Sequence, residues 1–284
     1  MKTPTISALC PAIICHWQRR FSRLAAIIAV AVIVACFPLH AAEPQPLMTT
    51  TGKTLVSEDF SAPGLPKTWD ARSAPQCFSV VDGALRCDSG LAKEHTPFVV
   101  VRLPAHDVTV RFSAKFEKAG TIFLAVDGHS DAFGSNTHLI RLALTPTQAT
   151  LDQKRGSPES KAAITVLNRK ARADGEKIAQ PTAGQLADAS FYRTEELAVK
   201  PVNFGVGEWH DVLFEVSGND LVLHFDDQPP IIAKATVADA AKSRLVFMVS
   251  GRGAALFKNV RASENTRRAD WKNEISNSKT NPKP

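Results

Sequence analysis

The 22 residues from Gly207 to Gln228, GEWHDVLFEVSGNDLVLHFDDQ, constrain the fold of this 284-residue chain more than any other stretch. They read as two strands joined at Gly218-Asn219, where glycine supplies the positive φ that a two-residue hairpin turn needs. That turn sets Val216 opposite Leu221, Phe214 opposite Leu223 and Val212 opposite Phe225. Because side chains alternate with period two, one side of the ribbon is then continuously apolar. The other side carries Asp211, Glu215, His224 and Asp226 around Leu213 and Val222. An antiparallel sheet with one face on a core and the other turned to water or a ligand has this pattern.

The same grammar recurs along the chain. Runs at 54–60 (TLVSEDF), 97–103 (PFVVVRL), 107–116 (DVTVRFSAKF), 121–128 (TIFLAVDG), 137–145 (THLIRLALT), 149–154 (ATLDQK), 244–250 (RLVFMVS) and 255–262 (ALFKNVRA) are short, rich in Val, Phe, Leu and Thr, and punctuated by Gly, Pro and Asp. The expectation is an all-β, antiparallel two-sheet jelly-roll sandwich spanning 54–262. Residues 43–53 read as a flexible lead-in and 263–284 as a disordered polar tail. One excursion, 155–206, breaks the β pattern. Ser157 caps a helix with Pro158 at its first position and Glu159 in its first turn. Ala163, Val166 and Leu167 would line its packed face, with Lys161, Arg169 and Arg172 in solvent. A long excursion on a compact domain is a place for function, or for a disordered insertion.

Residues 1–42 read as an export signal. Arg19, Arg20 and Arg23 precede the apolar run Leu24–Phe37, and small residues stand at Ala41 and Ala42. Two alternatives stay open: a lipid-modified Cys36 after Ile33-Val34-Ala35, and an uncleaved N-terminal anchor. The expected location is therefore periplasmic, cell-surface or secreted, with membrane contact only through a retained signal or a lipidated Cys36. Four of the 34 basic residues and none of the 28 acidic ones lie in 1–42, so the +6 formal charge falls to +2 without them. That balance, with no concentrated basic face, argues against a nucleic-acid partner.

Cysteines Cys10, Cys15 and Cys36 fall in the signal, leaving Cys77 and Cys87 around FSVVDGALR. A turn at Val81-Asp82-Gly83 would pair Val80 with Ala84 and set Cys77 opposite Cys87, close enough for a disulfide in an exported chain. No histidine or third cysteine accompanies them at metal-ligand spacing.

Candidate sites lie on two faces. Asp211, Glu215 and Asp226 on the polar side of the central hairpin could supply the carboxyl pair that glycoside hydrolysis needs. Asp211 and Asp226 stand opposite each other in that register. A second cluster joins Asp127, His129, Asp131, His138 and Arg141, with Asp127–Arg141 as a structural bridge or a hydroxyl-binding fork. The loop DGHSDAFGSN offers Asp127 and Asp131 as weak Ca²⁺ ligands, against a plain Asp- and Gly-rich turn. No other cofactor is expected. Phe191 and Tyr192 are the aromatics best suited to stack on a sugar, whereas Trp69 and Trp209 read as core packers and His210 as a packed histidine.

In this order, EDFS, FSVVDGALRC, THLIRLALTP, GEWHDVLFEVSGNDLVLHFDD and LFKNVRA resemble bacterial exported concanavalin A-like domains. These are the laminin-G-like and glycoside hydrolase family 16-like proteins that include the 3-keto-disaccharide hydrolase group. The resemblance implies a jelly roll outside the cytoplasm that binds or acts on carbohydrate. The chain departs from the hydrolases in lacking their E-x-D-x-x-E strand, since Glu215 is followed by Val216 and Ser217. It also lacks the N-S-G-I-x-x-R strand of the larger group, where TIFLAVDGHSDAF stands. The leading expectation is carbohydrate binding. A hydrolase using Asp211, Glu215 or Asp226 and a non-catalytic envelope adaptor working through 155–206 are the alternatives, and protein partners stay unspecified.

Overall fold

The structure, a computed structural model, describes residues 44–71, 74–93, 96–130 and 134–273. The export signal with Cys36, Asp131, the side chain of Arg172 and residues 274–284 lie outside the described residues. Among the described residues, no helix is long and apolar enough to cross a membrane.

Fifteen strands follow in chain order: β1 Thr49–Glu58, β2 Trp69–Asp70, β3 Phe78–Val81, β4 Ala84–Asp88, β5 Phe98–Ala105, β6 Val108–Lys118, β7 Thr121–Ser130, β8 Gly134–Thr145 and β9 Gln148–Arg155. Helices α1 (Pro158–Ala173) and α2 (Ala183–Ala187) precede β10 Arg193–Pro201, β11 His210–Ser217, β12 Asp220–Phe225, β13 Ile231–Lys234, β14 Lys242–Ser250 and β15 Ala254–Arg267. They form two antiparallel sheets. One runs β13-β12-β11-β6-β15-β4-β3, with β1 added along β15; the other runs β10-β9-β8-β7-β14-β5-β2. The all-β two-sheet sandwich expected from the strand pattern is the fold.

Inward residues of both sheets make one core. Val110, Phe112, Phe214 and Phe257 from the first sheet meet Leu124, Leu142, Leu245 and Phe247 from the second. Aromatic rings interlock across it: Phe247 sits 5.5 Å from Phe112, 5.6 Å from Trp69 and 5.4 Å from Phe257. Edge-to-face and offset pairs of this kind add to simple burial. The central hairpin has the register set by Gly218, whose φ is +52°: Val212, Phe214 and Val216 face Phe225, Leu223 and Leu221. His210 is buried, stacked at 5.2 Å on Phe225 and 4.4 Å from Phe204.

Several expectations need correction. The Cys77–Cys87 pair is not a directly opposed, bonded pair: both are free, buried thiols. Asp82 and Gly83 both take positive φ (+50° and +70°), making a two-residue turn with Val81 opposite Ala84. The register slips by one, so Phe78 faces Cys87, and Cys77 falls in a short 3-10 turn instead. Burial, with Cys77 nearby, pushes the Cys87 thiol up to about 12.

Parts of the expected lead-in and tail are built into the fold. Residues 49–53 extend β1 against β15, which itself runs to Arg267, and Trp271 is buried against Met48 and Val222. Within the excursion, Ser157 caps α1 through Ser160 N–H at 3.1 Å. However, the helix turns Ile164 and Asn168 inward and leaves Val166 and Leu167 65% and 64% exposed, so its packed face is not the expected one. Residues 193–201 form β10, an edge strand paired to β9. Trp69 is a core residue, but Trp209 is not: it is 36% exposed.

Candidate functional site

Each sheet has an outer face, and each outer face carries a carboxylate–histidine pair. On the first sheet, Glu215 of β11 points away from the core and is nevertheless fully buried. The backbone N–H groups of Leu47, Met48 and Thr49 donate to it at 2.8–3.0 Å, the Thr49 hydroxyl donates at 2.7 Å, and His224 Nε2 lies 3.0 Å away. Burial opposes ionisation of this carboxyl. The hydrogen bonds from His224, Thr49 and Leu47 outweigh it and hold the group below the usual carboxylate range. The expected open catalytic face is therefore closed at Glu215 by residues 47–49.

Asp211 and Asp226 do not form a facing carboxyl dyad. Asp211 accepts a 2.6 Å bond from the Ser113 hydroxyl. Asp226, at φ +46°, ends the hairpin and caps it, accepting from Asp211 N–H at 2.8 Å and contacting His210 Nδ1 at 2.6 Å. Each carboxylate is committed to a separate local partner.

The outer face of the second sheet is different. Alternation along β7 turns Asp127 to this face, like Ala125 and unlike Val126, and a register shift on β8 after Ile140 sets His138 opposite it, with Arg244 opposite on β14. His138 Nδ1 lies 2.5 Å from Asp127 Oδ1, and Arg244 Nε donates to Oδ2 at 2.8 Å. Asp127 is fully buried beneath them, while His138 and Arg244 are 35% and 38% exposed. Arg141, opposite Asp152 across β8 and β9, donates to it through Nε (3.0 Å) and Nη2 (2.8 Å). Its guanidinium also lies 4.7 Å from the Phe123 ring centroid. The anticipated Asp127–Arg141 bridge is thus replaced by two pairs, Asp127–Arg244 and Asp152–Arg141. Lys154, next on β9, bonds the Thr194 hydroxyl; burial, reinforced by Arg141, brings its ammonium down to about 8.

An apolar floor continues from these pairs. Ala125, Val246 and Met248 are buried on this outer face, with Phe98, Val100 and Phe123 half-exposed around them. The excursion forms the wall at the other end. Tyr192 packs on Leu139 and Val237, its hydroxyl 3.5 Å from Thr137, and its N–H bonds Ser160 of α1 at 2.8 Å. Burial raises the Tyr192 phenol above its ordinary value. Phe191, expected beside it as a stacking ring, is half-buried with its backbone against Gly156.

Of the sequence candidates, Asp127, His138, Arg141 and Tyr192 come together here, whereas Asp211, Glu215, His224 and Asp226 stay on the other sheet. Asp152, Lys154, Phe123 and Arg244 join the site unannounced. Asp152 follows from a two-residue turn at Pro146-Thr147, which puts it opposite Arg141 by counting. Arg244 comes from a strand 117 residues away from Asp127 in sequence, a pairing with no local signal.

The cluster does not suit a cation. Both Asp127 oxygens already face nitrogen donors, one of them a guanidinium, which leaves Asp127 little to offer Ca²⁺, the weaker of the two readings of this loop. Elsewhere, ligand atoms of His106, Asp107 and Asp239 lie within 4.8 Å of one another. There the imidazole meets Asp107 through Nδ1 and Asp239 through Nε2, its two opposite edges. Asp107 also accepts from Gly218 N–H and the Ser217 hydroxyl, so this is a turn-anchoring ion cluster.

Among solved structures, the chain is similar to LamAcat from Zobellia galactanivorans at 12% identity, covering 75% of this chain and 98% of that one with a TM-score of 0.47. It is similar to the laminarinase from Rhodothermus marinus at 11% identity, covering 77% and 99% with a TM-score of 0.46. The carbohydrate binding module CBM66 from Bacillus subtilis is 11% identical, covering 69% and 96% with a TM-score of 0.44. No protein-family model matches the chain, and neither does any curated protein. The resemblance to the 3-keto-disaccharide hydrolase group therefore finds no support there.

Proposed function

We propose that the protein is an exported carbohydrate-binding β-sandwich whose ligand face is the outer surface of the seven-stranded sheet. The observation that carries this reading is the row of Asp127–Arg244, Asp127–His138 and Asp152–Arg141 pairs beside Phe123 and the apolar floor of Ala125 and Val246. Carboxylate–guanidinium pairs hold planar donors and acceptors rigid, the arrangement that vicinal sugar hydroxyls satisfy. An aromatic and aliphatic floor supports the C–H face of a pyranose.

Binding is favoured over hydrolysis by the carboxyl groups. A retaining or inverting glycosidase needs one carboxyl kept protonated near neutral pH by a raised pKa. Among the described residues, each carboxyl group whose titration is displaced is displaced downward: Asp59, Asp107, Glu159, Asp188, Glu195 and Glu215.

Affinity electrophoresis through gels containing laminarin, mixed-linkage β-glucan, levan or pectin tests the reading. The expected result is retardation in at least one gel, lost in Arg244→Ala and in Arg141→Lys, with no release of reducing ends from the retarding polysaccharide. Uniform mobility in every gel, or retardation indifferent to both substitutions, overturns it. Reducing-end release abolished by Asp127→Asn would instead make the face catalytic.

A further inference from the structure

The eight-stranded sheet presents, far from its sealed Glu215, an aromatic group that the core does not use. Trp209 immediately precedes β11, whose first residue pairs with Ala114 of β6, and is 36% exposed. Lys258 Nζ of β15 lies 4.1 Å from its ring centroid and Lys115 Nζ of β6 lies 5.1 Å from it. Three adjacent strands thus converge on one indole. Ala255 and Phe257 face the core, so alternation sets Lys258 on this outer surface, and a register shift follows between Lys258 and Arg261, with Asn259 at φ +53°. The row continues through Lys258, Ser113 and Asp211, aligned across β15, β6 and β11, with the Ser113 hydroxyl donating to Asp211.

Among the described residues, neither ammonium pairs with a carboxylate; the ring is the group that both approach. Two half-exposed cations over an exposed indole, without an anion, amount to a half-built recognition site. The indole offers an apolar platform for a pyranose face, and the ammoniums offer charge to a substituent on that sugar. A neutral sugar would leave both cations unused. We infer that Trp209, Lys115 and Lys258 form a second saccharide site, on the opposite sheet from the first, selective for sugars bearing a carboxylate or a sulfate. It shares no residue with the seven-stranded face and does not depend on that face binding anything.

Isothermal titration of the full chain tests this with three hexasaccharides: hexagalacturonate for a carboxylate, a chondroitin sulfate hexasaccharide for a sulfate, and cellohexaose as the neutral control. At least one anionic hexasaccharide should bind ten-fold or more tighter than cellohexaose, and the preferred one identifies the anion. Trp209→Ala should weaken that binding at least ten-fold, and Lys115→Gln and Lys258→Gln about three- to ten-fold each. Trp209→Phe, which keeps a platform, should retain most of it, and Arg244→Ala should leave it unchanged. Raising salt from 50 to 500 mM should weaken it, since exposed charges are screened. Equal affinity for all three hexasaccharides, or binding unaffected by Trp209→Ala, overturns the site. So does binding confined to phosphatidylglycerol vesicles, which would make the patch a lipid contact.

Discussion

Two carboxylate–histidine pairs of nearly the same chemistry stand on the two outer faces of this sandwich, and their surroundings give them opposite roles. Glu215–His224 is closed over by residues 47–49, and its histidine is 13% exposed; Asp127–His138 lies under a histidine 35% exposed, with a guanidinium on its other oxygen. The first ties residues 47–49 to the sheet. The second leaves polar edges at the surface, next to an apolar floor. Which of two similar pairs is open to a ligand is decided by what covers them, not by residue type.

That contrast breaks most readily by substitution. Glu215→Ala leaves three backbone donors and a histidine buried without their acceptor, and should cost about 3 kcal/mol, the scale on which a buried pair resists losing one partner. Urea denaturation measures it, and glycan binding by the folded fraction should be unchanged. Asp127→Ala should cost less, about 1–2 kcal/mol, because water can solvate the exposed edges of Arg244 and His138. It should nevertheless remove glycan binding. If the two costs came out reversed, the assignment of sealed and open faces would fail.

Acid sharpens the same point. The Glu215 pKa is lowered on folding, so its contribution is present above the unfolded-state value of about 4.3 and is lost as pH falls through the lower folded value. Glu215→Gln should flatten the fall of melting temperature below about pH 4. Some slope should remain, because Asp107, also lowered, contributes with the same sign. The smallest effect belongs to α1: Leu167→Ser, on its exposed side, should change stability by no more than about 0.5 kcal/mol.

The sequence made the sheets legible wherever a turn residue fixed the register. Gly218 gave every pair of the central hairpin, whereas treating Val81-Asp82-Gly83 as a three-residue turn shifted the Cys87 hairpin by one. Half of the open face was within reach, since Asp127, His138 and Arg141 lie on adjacent strands. Its Arg244 was not, and neither was the covering of Glu215, because both depend on chain segments more than 100 residues away. Burial by a distant segment such as Leu47-Met48-Thr49 leaves no periodic trace in the strand it covers. Trp209 misled for a different reason: its residue type reads as core, although the parity that turns Val212 and Phe214 inward already sets Trp209 outward with Asp211.

The most direct test is a glycan-array screen of the wild-type protein beside Asp127→Asn and Glu215→Gln. The account predicts specific hits that vanish with Asp127→Asn and persist with Glu215→Gln. Hits that persist with Asp127→Asn and vanish with a folded Glu215→Gln, or an array silent for the wild type, would contradict it.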